Sequence, residues 1–137
     1  MRGPARLVGA LAAALLAFPA AAQDAPHERQ ARAVFERLVS FRSAAGHGQV
    51  PAMARFIVET LRAGGVPAED IVTIPHEETA ALLVRVPGTD RQARPILFSG
   101  HMDVVDARPE DWERDPFTLS EEDGYFFGRG TLDNKAG

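Results

Sequence analysis

Residues 95–103 have the sequence Pro-Ile-Leu-Phe-Ser-Gly-His-Met-Asp. The three apolar residues at positions 96–98 lie between a proline and a Ser-Gly pair, which is typical of a short strand buried on both faces. His101 and Asp103 follow, two residues apart, so in extended backbone their side chains lean to the same side. Because ligands of open α/β sheets bind where central strands end, the segment predicts an imidazole and a carboxylate at a crevice. The pair alone is explained more simply by a solvated loop or by a histidine held by a neighbouring acid.

Composition and charge limit the class of protein. The 137 residues are enough for at most one domain, and 45% hydrophobic with 25% charged residues is typical of a soluble globular chain. The net charge of −4 and the lack of a basic stripe argue against a nucleic-acid partner. The chain has no cysteine, which excludes disulfides, thiolate metal sites and a cysteine nucleophile.

The beginning of the chain has the pattern of an export signal. Two arginines precede an apolar stretch at residues 7–18 and three alanines at residues 20–22. This pattern predicts a secretory signal peptide over residues 1–22. The apolar stretch is shorter than the roughly 18 residues of a membrane span, and Pro19 interrupts it. We therefore expect a periplasmic or secreted mature chain, residues 23–137, without stable insertion in the membrane.

Two predicted helices come before three predicted strands in the mature chain. Apolar residues at helical spacing predict amphipathic helices over residues 27–41 and 51–63, and a Gly-Gly pair ends the second of them. Short strands are predicted over residues 71–74 and 80–86, ahead of the buried strand at residues 96–98. The sequence therefore predicts an α/β fold.

A second candidate site segment lies near residue 133. Gly128 and Gly130 let the backbone turn tightly ahead of Asp133, and this acid replaces the third glycine that a dinucleotide-binding loop would need. One histidine and one aspartate suit a divalent ion of the zinc type. Asp103 could accept the other ring N–H of His101 and fix its tautomer. A carboxylate can also bridge two metal ions, and spacing alone does not choose between one ion and two.

Three longer motifs occur in order. Residues 100–105 are Gly-His-Met-Asp-Val-Val, residues 123–130 are Asp-Gly-Tyr-Phe-Phe-Gly-Arg-Gly, and residues 133–137 are Asp-Asn-Lys-Ala-Gly, with Trp112 and an Asp-Pro-Phe triplet between the first two. This arrangement resembles metallopeptidase family twenty, which includes carboxypeptidase G, carboxypeptidase S, aminoacylase, acetylornithine deacetylase and succinyl-diaminopimelate desuccinylase. The resemblance is strongest over residues 96–137.

The resemblance implies a role for each candidate residue. His101 would bind one zinc ion, Asp133 would bridge two, and Asp103 would orient His101 and count as catalytic; cobalt or manganese could replace zinc. The implied fold is a three-layer catalytic domain of the zinc-exopeptidase type, with a mixed, mostly parallel sheet flanked by helices. Residues 23–137 would form its N-terminal portion. Asp106 stands where the family more commonly has proline, a departure that we expect to matter little.

The implied activity is that of a metal-dependent hydrolase. A zinc-activated water would cleave an amide or peptide bond of a small peptide or an N-acyl amino acid. The general-base glutamate, the remaining metal ligands and a dimerisation domain are expected beyond Gly137, so these 137 residues alone should be inactive, and the full-length protein is a candidate homodimer. The alternative is a non-catalytic exported α/β module that binds a metal or a small ligand. The downstream sequence would decide between the two.

Overall fold

The structure, a computed structural model, describes residues 25–90 and 92–136. Two α-helices come first in this part of the chain. Helix α1 spans Pro26–Val39 and helix α2 spans Val50–Ala63. Each has a proline in its first turn, where the missing N–H costs no intrahelical hydrogen bond. Both agree with the predicted helices to within two residues. The predicted signal peptide lies outside the described residues, and no helix inside them is both long and apolar enough to cross a membrane.

Two antiparallel hairpins supply the described strands. Strands β1 (Ile71–His76) and β2 (Thr79–Val84) pair with Ile71 opposite Val84, and α2 packs against this hairpin. Strands β3 (Ser120–Glu122) and β4 (Tyr125–Phe127) form the second, shorter hairpin. The first hairpin confirms the two strands predicted for this region. Within the described residues the pairing is antiparallel throughout, whereas the sequence predicted a mostly parallel sheet.

The prediction of a buried strand at residues 96–98 is wrong for the described structure. These residues pair with no described strand, and Ile96, Leu97 and Phe98 are 81%, 80% and 89% exposed. An apolar run is buried on both faces only where neighbouring strands and helices cover it, and the described part of the chain leaves this run uncovered.

A small core forms where α1 ends and α2 begins. We call residues 39–44, which connect α1 to the loop before α2, the junction segment. Four of its six residues are buried. They pack with the first turns of α2 and with part of the segment after His101. The buried apolar side chains are Val39, Phe41, Ala44, Val50, Met53, Ala54, Val104 and Ala107.

An ion pair ties the junction segment to the segment after His101. The guanidinium of Arg42 donates two hydrogen bonds of 2.8 Å to the two carboxylate oxygens of Asp106. His47 Nε2 lies 3.4 Å from the same carboxylate, and the Arg42 guanidinium lies 5.3 Å from the ring centre of Phe117. Asp106 therefore makes a side-chain contact that a proline at this position could not make.

Candidate metal centre

The two predicted metal ligands lie side by side, although 32 residues separate them in the sequence. His101 Nε2 is 2.8 Å from Asp133 Oδ1. The two side chains are 48% and 81% exposed, and they line an open cleft of about 300 Å³ together with the intervening glycine-rich turn. The structure thus brings together an imidazole nitrogen and a carboxylate oxygen at a site that solvent reaches.

The other ring nitrogen of His101 contacts Asp103. Its Nδ1 lies 2.8 Å from the main-chain carbonyl oxygen of Asp103 and 3.5 Å from the carboxylate oxygen Oδ1. The sequence predicted that the carboxylate would orient the ring, whereas the contact at hydrogen-bond distance is to the main chain. Because a carbonyl only accepts, this contact requires a proton on Nδ1, which leaves the Nε2 lone pair of the neutral ring for a metal.

Both partners of the His101 ring are hydrogen-bond acceptors. The carbonyl of Asp103, and after it the carboxylate of Asp133, raise the pKa of His101 above its ordinary value. A hydrogen bond from the ring to the Asp133 carboxylate requires a proton on Nε2. A divalent ion would compete with this proton, since both require the Nε2 lone pair and the Asp133 oxygen.

Close backbone approach holds the site together. A Cβ atom added at Gly100 would lie 2.9 Å from Asn134 Nδ2, and one added at Gly130 would lie 2.8 Å from Val104 Cγ1. Gly130 also has a φ of +86°, which L side chains rarely adopt. The Asp133–Asn134 peptide bond is cis. The motif glycines thus allow the two ligand-bearing segments to touch.

Sequence reasoning missed the two buried polar side chains beside the site. Lys135 is 5% exposed, and its ammonium donates to the carbonyls of Phe41 at 2.5 Å and Val39 at 3.5 Å. Burial lowers the pKa of Lys135 to about 8. Ser43 is fully buried, and its hydroxyl donates to the Met102 carbonyl at 2.8 Å. A lysine two positions after a candidate ligand was visible in the sequence, but its partners lie more than 90 residues away.

The residues present fit part of a zinc site. Imidazole nitrogen and carboxylate oxygen are ligands that zinc accepts, and a closed site normally has four. Within residues 25–90 and 92–136, no group of three or more histidine, cysteine, aspartate or glutamate side chains could hold a metal ion. The assignments of His101 and Asp133 as ligands, and of Asp103 as catalytic, remain predictions.

A known protein family matches the segment that contains both His101 and Asp133. Residues 97–137 match Peptidase family M20/M25/M40. This match confirms the resemblance inferred from the motifs. We refer to this group below as the M20 family.

Curated relatives match over longer stretches. The N-fatty-acyl-amino acid synthase/hydrolase PM20D1 of Xenopus tropicalis is 51% identical over 53 residues, which are 39% of this chain and 10% of the relative. The Beta-Ala-His dipeptidase of Rattus norvegicus is 37% identical over 79 residues, 57% of this chain and 15% of the relative. The succinyl-diaminopimelate desuccinylase of Polynucleobacter necessarius is 37% identical over 82 residues, 58% of this chain and 21% of the relative. The chain thus spans about a fifth or less of these relatives.

A solved structure supports the fold. Human carnosine dipeptidase 1 matches with a TM-score of 0.50 and 25% sequence identity, covering 80% of this chain and 26% of that protein. This match confirms an α/β fold of the kind found in carnosine dipeptidase 1, of which these residues form a part. Within the described residues the strand pairs of this partial fold are antiparallel.

Proposed function

We propose that this chain contributes part of the metal centre of a hydrolase that cleaves an amide or peptide bond. The observation that carries the proposal is the 2.8 Å contact between His101 Nε2 and Asp133 Oδ1. Both residues lie inside the 97–137 segment that matches the M20 family. The contact joins two residues that the motifs had singled out separately, and it lies at an open cleft where a substrate can reach it.

Each residue of the site has one task in this proposal. His101 would bind one zinc ion through Nε2, and Asp133 would bridge that ion to a second; cobalt or manganese could take the place of zinc. When bound, such ions supply Lewis-acid activation of a water molecule and of the amide carbonyl. Asp103 keeps the His101 ring in the ligating tautomer through its main-chain carbonyl.

A proton acceptor for the water completes the proposed mechanism. Hydrolysis of an amide needs a general base within hydrogen-bond reach of the water. In the described part of the chain, the residues that line the cleft with His101 and Asp133 include no glutamate. We therefore propose that a glutamate outside these 137 residues acts as the base, and that the 137-residue chain alone is inactive.

The relatives support a proposal for the substrate class. Their names specify an N-fatty-acyl-amino acid, the dipeptide Beta-Ala-His and a succinyl-diaminopimelate. We propose a small peptide or an N-acyl amino acid as substrate. The test is hydrolysis of a panel of dipeptides and N-acyl amino acids by the full-length protein, before and after chelation and with zinc restored. We expect chelation to abolish hydrolysis and zinc to restore it.

Two outcomes of this assay would contradict the proposal. Hydrolysis that persists after the protein has been stripped of metal would exclude a metal-dependent mechanism. Zinc binding without turnover of any member of the panel would favour the non-catalytic metal-binding module.

We also propose that the protein is exported, because residues 1–22 have the pattern of a signal peptide. The proposal predicts that the mature protein begins at or near Gln23. N-terminal sequencing of protein from the periplasmic or extracellular fraction measures this directly. An intact Met1 on protein recovered from the cytoplasm would contradict export.

A further inference from the structure

Lys135 is a buried cation close to exposed residues. Asp133, two positions before it, and Ala136 are exposed, and Asn134 is half-buried, whereas Lys135 is 5% exposed. The stem of Lys135 lies across Gly130, where an added Cβ would meet Lys135 Cδ at 3.0 Å and Cγ at 3.1 Å. The main-chain N–H of Lys135 donates to the Gly130 carbonyl at 2.9 Å. The absence of a side chain at position 130 thus gives the lysine its path into the protein.

The Lys135 ammonium binds the carboxyl end of α1. Its partners are the carbonyls of Val39, the last residue of α1, and of Phe41 in the junction segment. The final carbonyls of a helix have no intrahelical donors, and the negative end of the helix dipole favours a cation. A buried ammonium is costly unless it is hydrogen-bonded, so these contacts specify where the lysine must lie.

The same junction segment also holds the segment that carries His101. The Ser43 hydroxyl donates to the Met102 carbonyl at 2.8 Å, and the Val104 N–H donates to the Ser43 carbonyl at 3.3 Å. Met102 directly follows His101, and Val104 directly follows Asp103. The junction segment therefore contacts the segment that carries His101 through Ser43. It contacts the loop that carries Asp133 through Lys135.

Asp133 has little else to fix it. Its side chain is 81% exposed, and within the described part of the chain its carboxylate makes a hydrogen bond to His101 alone. A metal ion would compete for both atoms of that contact, so in the metal-bound site another contact has to position Asp133. The buried anchor nearest in sequence is Lys135, two residues on.

We propose that Lys135 is a positioning residue for the two predicted metal ligands, His101 and Asp133. By fixing the Asp133 loop to the junction segment, which also holds Met102 and Val104, it sets the separation between Asp133 and His101. The inference rests on the proposed function, since it concerns the same two ligands. Lys135 itself would touch neither the metal nor the substrate.

The test compares zinc affinity in variants of the full-length protein. Lys135→Met removes the ammonium and keeps a stem of similar length. Met53→Ala is the matched control, because it removes a buried side chain from α2 without removing a hydrogen bond of the junction segment. Zinc dissociation constants are measured by competition with a colorimetric chelator, at a temperature where circular dichroism shows both variants folded. Asp133→Ala is measured alongside.

We expect Lys135→Met to raise the zinc dissociation constant about tenfold or more, as loss of an outer-shell partner does, while Met53→Ala keeps the wild-type value. If Lys135→Met does not fold, Lys135→Gln, which keeps an N–H donor but not the charge, takes its place with the same expected direction. Loss of zinc in Asp133→Ala together with wild-type affinity in the folded lysine variant would overturn the positioning role alone. Wild-type affinity in Asp133→Ala would overturn the proposed function itself.

Discussion

The His101 imidazole is held on both sides by acceptors of different kinds. One is the main-chain carbonyl of Asp103, which no substitution of the side chain removes. The other is the carboxylate of Asp133, which is a side-chain atom. The two aspartates should therefore respond differently to mutation, although the sequence presents both as acids of the same motif set.

Asp103→Ala should keep most of the zinc affinity of the full-length protein. The carbonyl at 2.8 Å remains, and only the carboxylate oxygen at 3.5 Å is lost, so we expect the zinc dissociation constant to rise by less than about tenfold, the low end of outer-shell effects. Chelator competition measures this, with Asp111→Ala as a control for removal of an exposed acid. If Asp103→Ala loses zinc as completely as Asp133→Ala, then the carboxylate, not the carbonyl, acts on the metal site.

Motif recognition predicted the pair His101 and Asp133, because each lies in a short local pattern with glycine beside it. It did not predict the atom through which Asp103 acts, since the choice between carboxylate and carbonyl depends on the backbone turn after His101. It also gave no role to Lys135, whose acceptors belong to a helix end far away in the sequence.

At the scale of elements, Gly130 is the point where the glycine-rich turn meets the segment after His101. An added Cβ there would lie 2.8 Å from Val104 and 3.0 Å from Lys135, on a backbone with φ of +86°. Gly124, in the turn between β3 and β4, has a similar φ of +80° but nothing within 4 Å of the added atom. Comparing alanine substitutions at these two glycines therefore distinguishes the free-energy cost of the backbone conformation from the cost of steric crowding.

Gly130→Ala should destabilise the protein more than Gly124→Ala does. Both variants carry the left-handed strain of about 1–2 kcal/mol, and only Gly130→Ala adds overpacking of about 1–3 kcal/mol. Urea unfolding of the full-length protein followed by circular dichroism measures the difference in free energy of unfolding. Equal destabilisation by the two alanines would show that the site does not depend on close contact at residue 130.

The ion pair between Arg42 and Asp106 links two elements and should make stability depend on acid. The Arg42 guanidinium holds the pKa of Asp106 well below its usual range. A carboxyl with a lowered folded pKa contributes stability that is present above its unfolded pKa of about 3.9 and is lost as the pH falls towards the folded value.

Asp106→Asn should therefore remove part of the loss of stability that the wild type shows on acidification below about pH 4. Urea midpoints measured from neutral to acid pH test this, with Asp111→Asn as the matched control. Asp111 also accepts two hydrogen bonds from an arginine, but Arg108 lies three residues away in the same turn and links no separate elements. An acid dependence in Asp106→Asn identical to that of the wild type would exclude the linkage.

Local patterns were sufficient for the helices and for the first hairpin, and insufficient for residues 96–98. Helical spacing of apolar residues and the glycines after α2 depend only on nearby sequence, so the predicted helix bounds differ from the observed ones by at most two residues. Burial of a strand depends on neighbours from elsewhere in the fold. The apolar run at residues 96–98 has the right composition, but the described residues cover neither face of it.

At the scale of the molecule, the chain is a small part of its relatives. It spans 26% of human carnosine dipeptidase 1 and 10–21% of the three curated relatives compared above. Two predicted ligands lie in this part, and a closed zinc site has about four. Sequence motifs could therefore predict two ligands of such a site and the family resemblance, whereas we propose that the base and the substrate contacts lie outside this chain.

If His101 and Asp133 hold metal together in a hydrolase, the metal content of the protein depends on Asp133. Elemental analysis would give zinc per chain for the full-length wild type, for Asp133→Ala and for the control Asp111→Ala, with hydrolysis of dipeptides and N-acyl amino acids measured on the same samples. We predict about two zinc ions in the wild type and the control, and loss of both zinc and turnover in Asp133→Ala, because a bridging carboxylate serves both ions. Wild-type zinc content and normal turnover in Asp133→Ala would exclude Asp133 as a metal ligand and, with it, the two-metal mechanism.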